Sequence, residues 1–129
     1  MPKLNREDVE KLTAMAIDLA RNGQTTELLE YFDHGLPLNV QDAGGNTALM
    51  MAAYHGHGDA VRGLIERGAD VDVRNGRDQS PIAGAIFKGE DEIVRMLLAA
   101  GADLDAGTPP ARLAAEMFGK KHLLAPDAD

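Results

Sequence analysis

The 129-residue chain contains no cysteine and no tryptophan, and only 4% of its residues are aromatic. Without cysteine, neither a disulfide framework nor a cysteine-ligated zinc site can form. The lack of cysteine is also compatible with a cytoplasmic location, and we expect one. Because aromatic side chains are scarce, the core must be built mainly from aliphatic residues.

The chain also lacks an excess of basic residues and any long apolar run. Its formal net charge of -8 argues against nonspecific binding to nucleic acid or to anionic membranes. No stretch is long and apolar enough to span a bilayer, and the start, MPKLNREDVEKL, is too charged for a signal peptide. We therefore expect a single folded domain over residues 1–129, with neither nucleic acid nor membrane as partner.

The sequence repeats with a period of about 33 residues, a length that is typical of solenoids. A shift of 33 places Gly56 on Gly89, and it places GADVD of residues 68–72 on GADLD of residues 101–105. The same shift in the other direction places Gly56 on Gly23. In a solenoid, each repeated unit packs only on its neighbours.

Each unit is predicted to contain two helices. Thr47 and Ser80 are favourable N-cap residues, and Pro81 follows Ser80 at the first helical position, where its missing N–H costs nothing. Gly56 and Gly89 are suited to end this first helix.

A second helix and a polar loop complete the unit. The apolar residues of the second helix recur at helical spacing, and a glycine follows them; in the middle unit they are Ala60, Val61, Leu64 and Ile65, followed by Gly68. The pairs Gly44-Gly45 and Asn75-Gly76 predict tight turns in the loops that lead to the next unit.

With these features, GNTALMMAAYHGHGDAVRGLIERGADVDVRN and SPIAGAIFKGEDEIVRMLLAAGADLDA resemble two successive ankyrin repeats. The resemblance implies an all-α ankyrin solenoid of about four helix-turn-helix units with β-hairpin-like finger loops. The register suggests an N-terminal cap at about residues 5–41, units at 42–74 and 75–107, and a truncated C-terminal cap at 108–129.

Two parts of the chain depart from the family pattern. Where ankyrin repeats usually carry Thr-Pro-Leu-His, this chain reads TALM and SPIA, and so lacks the His that ties adjacent turns by hydrogen bonds. The departure concerns the rigidity of the fingers and not the fold. The register also slips in the last unit, because a shift of 33 from Gly89 falls on His122, whereas the glycine is Gly119. There we expect a helix after Pro109-Pro110 whose Leu113, Met117 and Phe118 cover the third unit.

Several side chains could suggest a metal or a catalytic site. His55, His57 and Asp59 are close in sequence, but His57 occupies the position after the helix-ending glycine, where the family often has His. The aspartates of the two GAD loops, Asp70, Asp72, Asp103 and Asp105, lack the spacing and terminal Glu of an EF-hand. Ser80 has no nearby His, and no phosphate-binding loop is present. We therefore expect no metal, no cofactor and no enzymatic activity.

In the family, a concave groove formed by the fingers and the exposed end of each first helix binds partners. Carried onto this chain, the groove positions are Arg21, Asn22, Asn46, Tyr54, His55, Arg77, Gln79, Phe87 and Lys88. Tyr54 and Phe87 are equivalent by the 33-residue period, and they either form a binding hot spot or pack between the repeats. The groove would be basic, and the opposite face, with TELLEYFD and GEDEIV, acidic.

The resemblance favours a module that binds a partner protein, including as an accessory or regulator of an enzyme. A self-associating structural repeat protein is the alternative, because a short last unit could leave apolar surface open. An enzyme would need converging polar groups that the sequence does not offer. A small-molecule substrate is not expected.

Overall fold

The structure is a computed structural model that describes residues 5–124, and these form eight helices and no strand. The helices are α1 (Arg6–Asn22), α2 (Thr25–Asp33), α3 (Ala48–Tyr54), α4 (Gly58–Glu66), α5 (Pro81–Lys88), α6 (Asp91–Ala99), α7 (Ala111–Met117) and α8 (Lys121–Leu124). The prediction of an all-α chain is confirmed. Within the described part of the chain, no helix combines the length and the apolar character needed to cross a bilayer.

The helices pack in two layers. The inner layer consists of α1, α3, α5 and α7, each of which contacts the next, and the outer layer consists of α2, α4, α6 and α8 in the same order. The two helices of each consecutive pair also contact each other. Because each pair packs on the pairs next to it, residues 5–124 form a short helical solenoid. The unit boundaries given above stay a prediction.

The helix starts follow the predicted caps. The Thr47 side chain accepts a hydrogen bond from the Met50 amide at 3.1 Å, and the Ser80 side chain accepts one from the Ala83 amide at 3.2 Å. Gly89 ends α5 in the left-handed region with φ 74°. These bonds satisfy amides that a helix terminus otherwise leaves without a partner.

The core repeats with the same period as the sequence. Leu28, Val61 and Val94 occupy the same position in successive units, and all are fully buried, with 0% of their surface exposed. Full burial of such a side chain contributes about 1.5–3 kcal/mol. Ala20 and Ala53 are also fully buried, and their small side chains let the inner helices approach closely. The 33-residue period thus places the same kind of contact in each unit.

His57 links the first two helix pairs. Its Nε2 atom lies 2.9 Å from the Arg21 carbonyl oxygen, and its ring lies against Gly23, where a Cβ would come within 2.6 Å of the ring. One period later, the Glu90 carboxylate lies against Gly56 in the same way, 2.8 Å from the position of a Cβ. His57 therefore has a structural role between units.

The GAD loops are linked by carboxylate and amide oxygens. The Asn39 side chain accepts a hydrogen bond from the Asp70 amide at 2.9 Å, and Asp72 accepts one from the Asp103 amide at 2.8 Å. These side chains stabilise the backbone of the next unit. Among residues 5–124, no three His, Asp or Glu side chains are grouped closely enough to hold a metal ion.

The last unit packs differently from the prediction. Helix α7 begins after Pro110, as predicted, but it is Ala111, Ala114 and Ala115 that it buries. Leu113 and Met117 are 45% and 63% exposed, so the prediction that they cover the third unit is wrong. Helix α7 contacts α5, and the residues that α7 buries are alanines, so its longer apolar side chains lie on its exposed face.

Candidate functional site

Two finger loops, residues 42–46 and 75–79, project between the helix pairs. In each, the first residue donates its amide to the carbonyl of the last: Asp42 to Asn46 at 3.0 Å, and Asn75 to Gln79 at 3.1 Å. The left-handed residue of the first finger is Gly45, with φ 83°. Its 33-residue equivalent is Asp78, with φ 59°, a conformation that Asp adopts more readily than most residues.

Hydrogen bonds link the two fingers to each other, although the chain lacks the His of the family's Thr-Pro-Leu-His motif. The Gly76 amide donates to the Gly44 carbonyl at 2.8 Å. The Gln41 side-chain amide donates to the Gly45 carbonyl at 2.8 Å and to the Arg74 carbonyl at 3.1 Å. Backbone and amide hydrogen bonds therefore hold the fingers in register.

Three amide side chains form a network on these fingers. Asn75 Nδ2 donates to Asn46 Oδ1 at 3.0 Å and to Gln79 Oε1 at 2.7 Å. Asn75 Oδ1 accepts from the backbone amides of Arg77 and Gln79 at 2.9 and 3.0 Å. Asn75 is thus fully hydrogen-bonded, and its amide holds a side chain of each finger.

A groove of about 520 Å³ lies between the fingers and the inner helices. Its floor is largely apolar and comes from α3, α5 and α7, and the finger side chains form one wall. The predicted residues on it are Asn46, Tyr54, Arg77, Gln79 and Phe87. Among residues 5–124, no Asp or Glu lines the groove, although the chain carries a net charge of -8.

Tyr54 is half-buried on the groove floor. Its ring packs against Gly84 of the next inner helix, where a Cβ would lie 3.5 Å from the ring. Lys88 Nζ lies 5.0 Å from the centre of the Tyr54 ring, a cation–π distance. Tyr54 therefore packs against the next repeat and also lines the groove, and its role as a binding hot spot stays a prediction.

Phe87 is the most open aromatic of the groove. It is 58% exposed, and its ring meets Phe118 edge to face at 5.4 Å. Sequence reasoning assigned Phe118 to the cap and missed it as a groove residue. A 33-residue shift from Phe87 falls on Lys120, so the period itself could not have found it.

Four predicted residues, Arg21, Asn22, His55 and Lys88, do not line the groove. They lie at the C-terminal ends of α1 and α5 or, in the case of His55, directly after the end of α3. Arg21 forms an ion pair with Asp18 on its own helix, and its Nη2 atom lies 3.9 Å from the Met51 sulfur. Met50 and Met51, which sequence reasoning did not select, line the groove instead.

The family model for ankyrin repeats, in three copies, matches residues 12–108, which is more than half of the chain. The chain belongs to the ankyrin repeat family. Ankyrin repeats are generally protein–protein interaction modules, and the family is typically not enzymatic.

Two curated relatives are similar to parts of this ankyrin chain. An ankyrin repeat protein of Pseudomonas aeruginosa is 39% identical over 61 residues, covering 47% of this chain and 35% of the relative. An ankyrin repeat-containing protein of Schizosaccharomyces pombe is 36% identical over 52 residues, covering 40% of this chain and 25% of the relative. The matched part thus spans about a third or less of each relative's length.

His55, which follows the groove residue Tyr54 in the chain, has a perturbed pKa. Partial burial lowers the pKa of His55, and the nearby charges of Arg21, His57 and Lys88 lower it further. These effects favour the neutral form of His55, and the permanent positive charge near the groove comes from Arg21, Arg77 and Lys88. Within the described part of the chain, neither Arg77 nor Lys88 forms an ion pair.

The outer layer of the ankyrin stack carries an ion pair between units. Arg67 binds the Asp33 carboxylate through two hydrogen bonds of 2.7 and 2.9 Å. The hydrogen bond from Arg67 lowers the pKa of Asp33, and the Arg67 charge adds to the effect. This pair stabilises the packing between the first two units and lies outside the groove.

Proposed function

We propose that the ankyrin groove binds a segment of a partner protein. The observation that supports this proposal is the arrangement of Tyr54, Phe87 and Phe118 along one groove that no acidic side chain of the described residues lines. Aromatic side chains are enriched among the residues that dominate binding energy at protein interfaces. Phe87 is more than half exposed, so its ring is available to a partner without unfolding of the stack.

The chemistry of the groove suits a segment with apolar anchors and acidic flanks. Neighbouring helices lie about 8–10 Å apart, so anchors on Tyr54 and Phe87 should be separated by a similar distance. Arg77 and Lys88, which have no ion-pair partner among residues 5–124, would face the acidic flanks. Such rim charges act mainly on the association rate and its salt dependence.

Selection from a library of random short peptides tests the proposal without a known partner. Peptides that bind the full chain would be synthesised, and their affinity measured by fluorescence anisotropy. Phe87→Ala should weaken binding more than about tenfold, because loss of a hot-spot aromatic costs about 2 kcal/mol or more. Tyr54→Ala should do the same, and Tyr54→Phe, which keeps the ring, should bind almost normally.

The matched controls are on the outer layer. Glu27→Lys and Glu92→Lys reverse the charge of exposed residues on α2 and α6, and they should change affinity little. Circular dichroism and melting temperature should show that each variant stays folded. Peptides that bind Phe87→Ala as tightly as the unmodified chain, or that lose affinity only with the outer-layer variants, would overturn the groove assignment.

Self-association is a second candidate, and the exposed face of α7 is the observation that favours it. By the register of the last two units, Leu113 corresponds to Ala83, which is buried. In a self-association model, a second copy of the chain would cover Leu113 and Met117. The molar mass measured by light scattering should then fall to that of a monomer in Leu113→Gln plus Met117→Gln; a monomer at all concentrations would reject this candidate.

The proposal also covers the cellular location of the protein and the kind of partner that it serves. We propose a cytoplasmic location, where a chain without cysteine needs no oxidising compartment. A role as accessory or regulator of an enzyme is compatible with a groove that binds one segment of a larger protein. The partner's identity has to come from the selected peptides.

A further inference from the structure

The amide network on the fingers fixes which way two groove residues present their polar atoms. Asn75 Nδ2 carries two hydrogens, and it donates one to Asn46 Oδ1 and the other to Gln79 Oε1. Each partner oxygen therefore accepts one hydrogen bond from Asn75, and this contact fixes the orientation of both partner amides. In this orientation, the NH₂ groups of Asn46 and Gln79 remain available as donors.

These NH₂ groups have no protein acceptor among the described residues. Among residues 5–124, neither Asn46 Nδ2 nor Gln79 Nε2 donates a hydrogen bond. Both residues line the groove, and Arg77, which lines the same groove, adds a guanidinium that forms no ion pair in the same part of the chain. The amide and guanidinium side chains of this wall are thus hydrogen-bond donors.

We propose that this finger wall is a carboxylate subsite, in which Asn46, Gln79 and Arg77 donate to an acidic group of the partner segment. The inference rests on the proposed function and adds the chemistry of one contact. A carboxylate accepts several hydrogen bonds and offers no donor, so it matches a wall of donors. Hydrogen bonds to a charged group are roughly twice as strong as neutral ones.

Asn75 acts in this subsite as a positioning residue. Its own oxygen is held by the backbone amides of Arg77 and Gln79, so its NH₂ group must face the other two amides. With Asp at this position, the side chain would keep its shape but would accept hydrogen bonds from Asn46 and Gln79. Both amides would then turn, and the wall would present oxygens in place of NH₂ groups.

Peptide selections against variants of the chain test whether the finger wall presents donors rather than acceptors. The unmodified chain should select peptides with Asp or Glu close to an apolar residue. In the double variant Asn46→Asp plus Gln79→Glu, one carboxylate oxygen of each residue can still accept from Asn75, while the other faces the groove. This variant should select Lys or Arg in place of Asp or Glu, and it should bind the original acidic peptides more than about tenfold more weakly.

Two single variants separate positioning from charge. Asn75→Asp should lose the preference for acidic peptides while its melting temperature stays within about 4 °C of the original. Asn39→Asp is the matched control, because it makes the same change at an exposed residue that accepts one backbone hydrogen bond and does not line the groove. It should keep the acidic preference.

The outcomes distinguish the two levels of the proposal. Two results overturn the carboxylate subsite and leave the groove in place. In the first, the binding of selected peptides depends on Phe87, but the peptides show no preference for Asp or Glu. In the second, the Asn46→Asp plus Gln79→Glu variant selects acidic peptides as the original chain does. Selected peptides that do not depend on Phe87 or Tyr54 overturn both. Synthetic peptides with an amidated C-terminus show whether the carboxylate comes from a side chain or from a chain end: loss of binding on amidation assigns it to the chain end.

Discussion

Gly45 approaches Gly76 so closely that a Cβ at Gly45 would lie 2.6 Å from the Gly76 nitrogen. This contact is between two backbones, so no side-chain rotation can relieve it. The same glycine has φ 83°, a conformation that side chains rarely adopt. The close approach of the two fingers therefore depends on the absence of a side chain at this position.

Gly45→Ala should destabilise the fold by more than about 3 kcal/mol, because it adds both backbone strain and a clash. Gly68→Ala is the matched control: its φ is 90°, but a Cβ there would meet nothing within 4 Å. The control should cost only about 1–2 kcal/mol, the strain of the left-handed conformation alone. Urea unfolding of both variants measures the difference, and equal costs would contradict the finger contact.

The Asp33–Arg67 pair should make stability depend on acid pH. The Arg67 hydrogen bond lowers the pKa of Asp33 below its ordinary value of 3.8. The unfolded state therefore binds this proton more readily, so the contribution is complete above about pH 4 and is lost as pH falls through the folded-state pKa. Urea unfolding of Asp33→Asn should show a shallower loss of stability in this range; a curve parallel to that of the original chain would contradict the assignment.

His55 should report on the charges at the groove rim. Its pKa is lowered first by burial and then by Arg21, His57 and Lys88, so Lys88→Gln should raise it. Because the unfolded state binds the proton more readily, His55 should also make stability fall as pH drops below about 6.5. An NMR titration of the His55 ring measures the shift. Lys121→Gln, on α8, is the control, and an equal shift in both variants would reject the effect of Lys88.

Two leucines of the last unit should differ in their contribution to stability. Leu123 is 6% exposed and completes the outer layer, whereas Leu113 on α7 is 45% exposed. Leu123→Ala should therefore cost about 2 kcal/mol or more, and Leu113→Ala less than about 1 kcal/mol. Thermal and urea unfolding give both values. A larger cost at Leu113 would mean that its side chain covers the third unit after all.

The 33-residue period predicted those features that depend on local sequence. The caps at Thr47 and Ser80 and the buried positions of Val61 and Val94 follow from residue type and helical spacing. Tyr54 and Phe87 were selected because they share one position in successive units. Such features repeat with the chain, so the sequence alone is enough to find them.

Other features depend on contacts that the period does not describe. The slip of register in the last unit separates Phe118 from its groove neighbours in the alignment of the units. Leu113 and Met117 have the spacing of a buried helix face, but the residues that α7 buries are alanines. The hydrogen bonds of Asn75 require two fingers to meet, and no pattern within one unit predicts them.

The most direct test of the account is to map the binding surface by NMR. A selected peptide would be added to the isotope-labelled full chain, and the amide shift changes assigned by residue. We predict the largest changes at Asn46, Gly84 and Phe87 in the groove, with little change along α4 and α6. Changes concentrated on α4 and α6 would contradict the central claim that this ankyrin chain binds its partner through the groove.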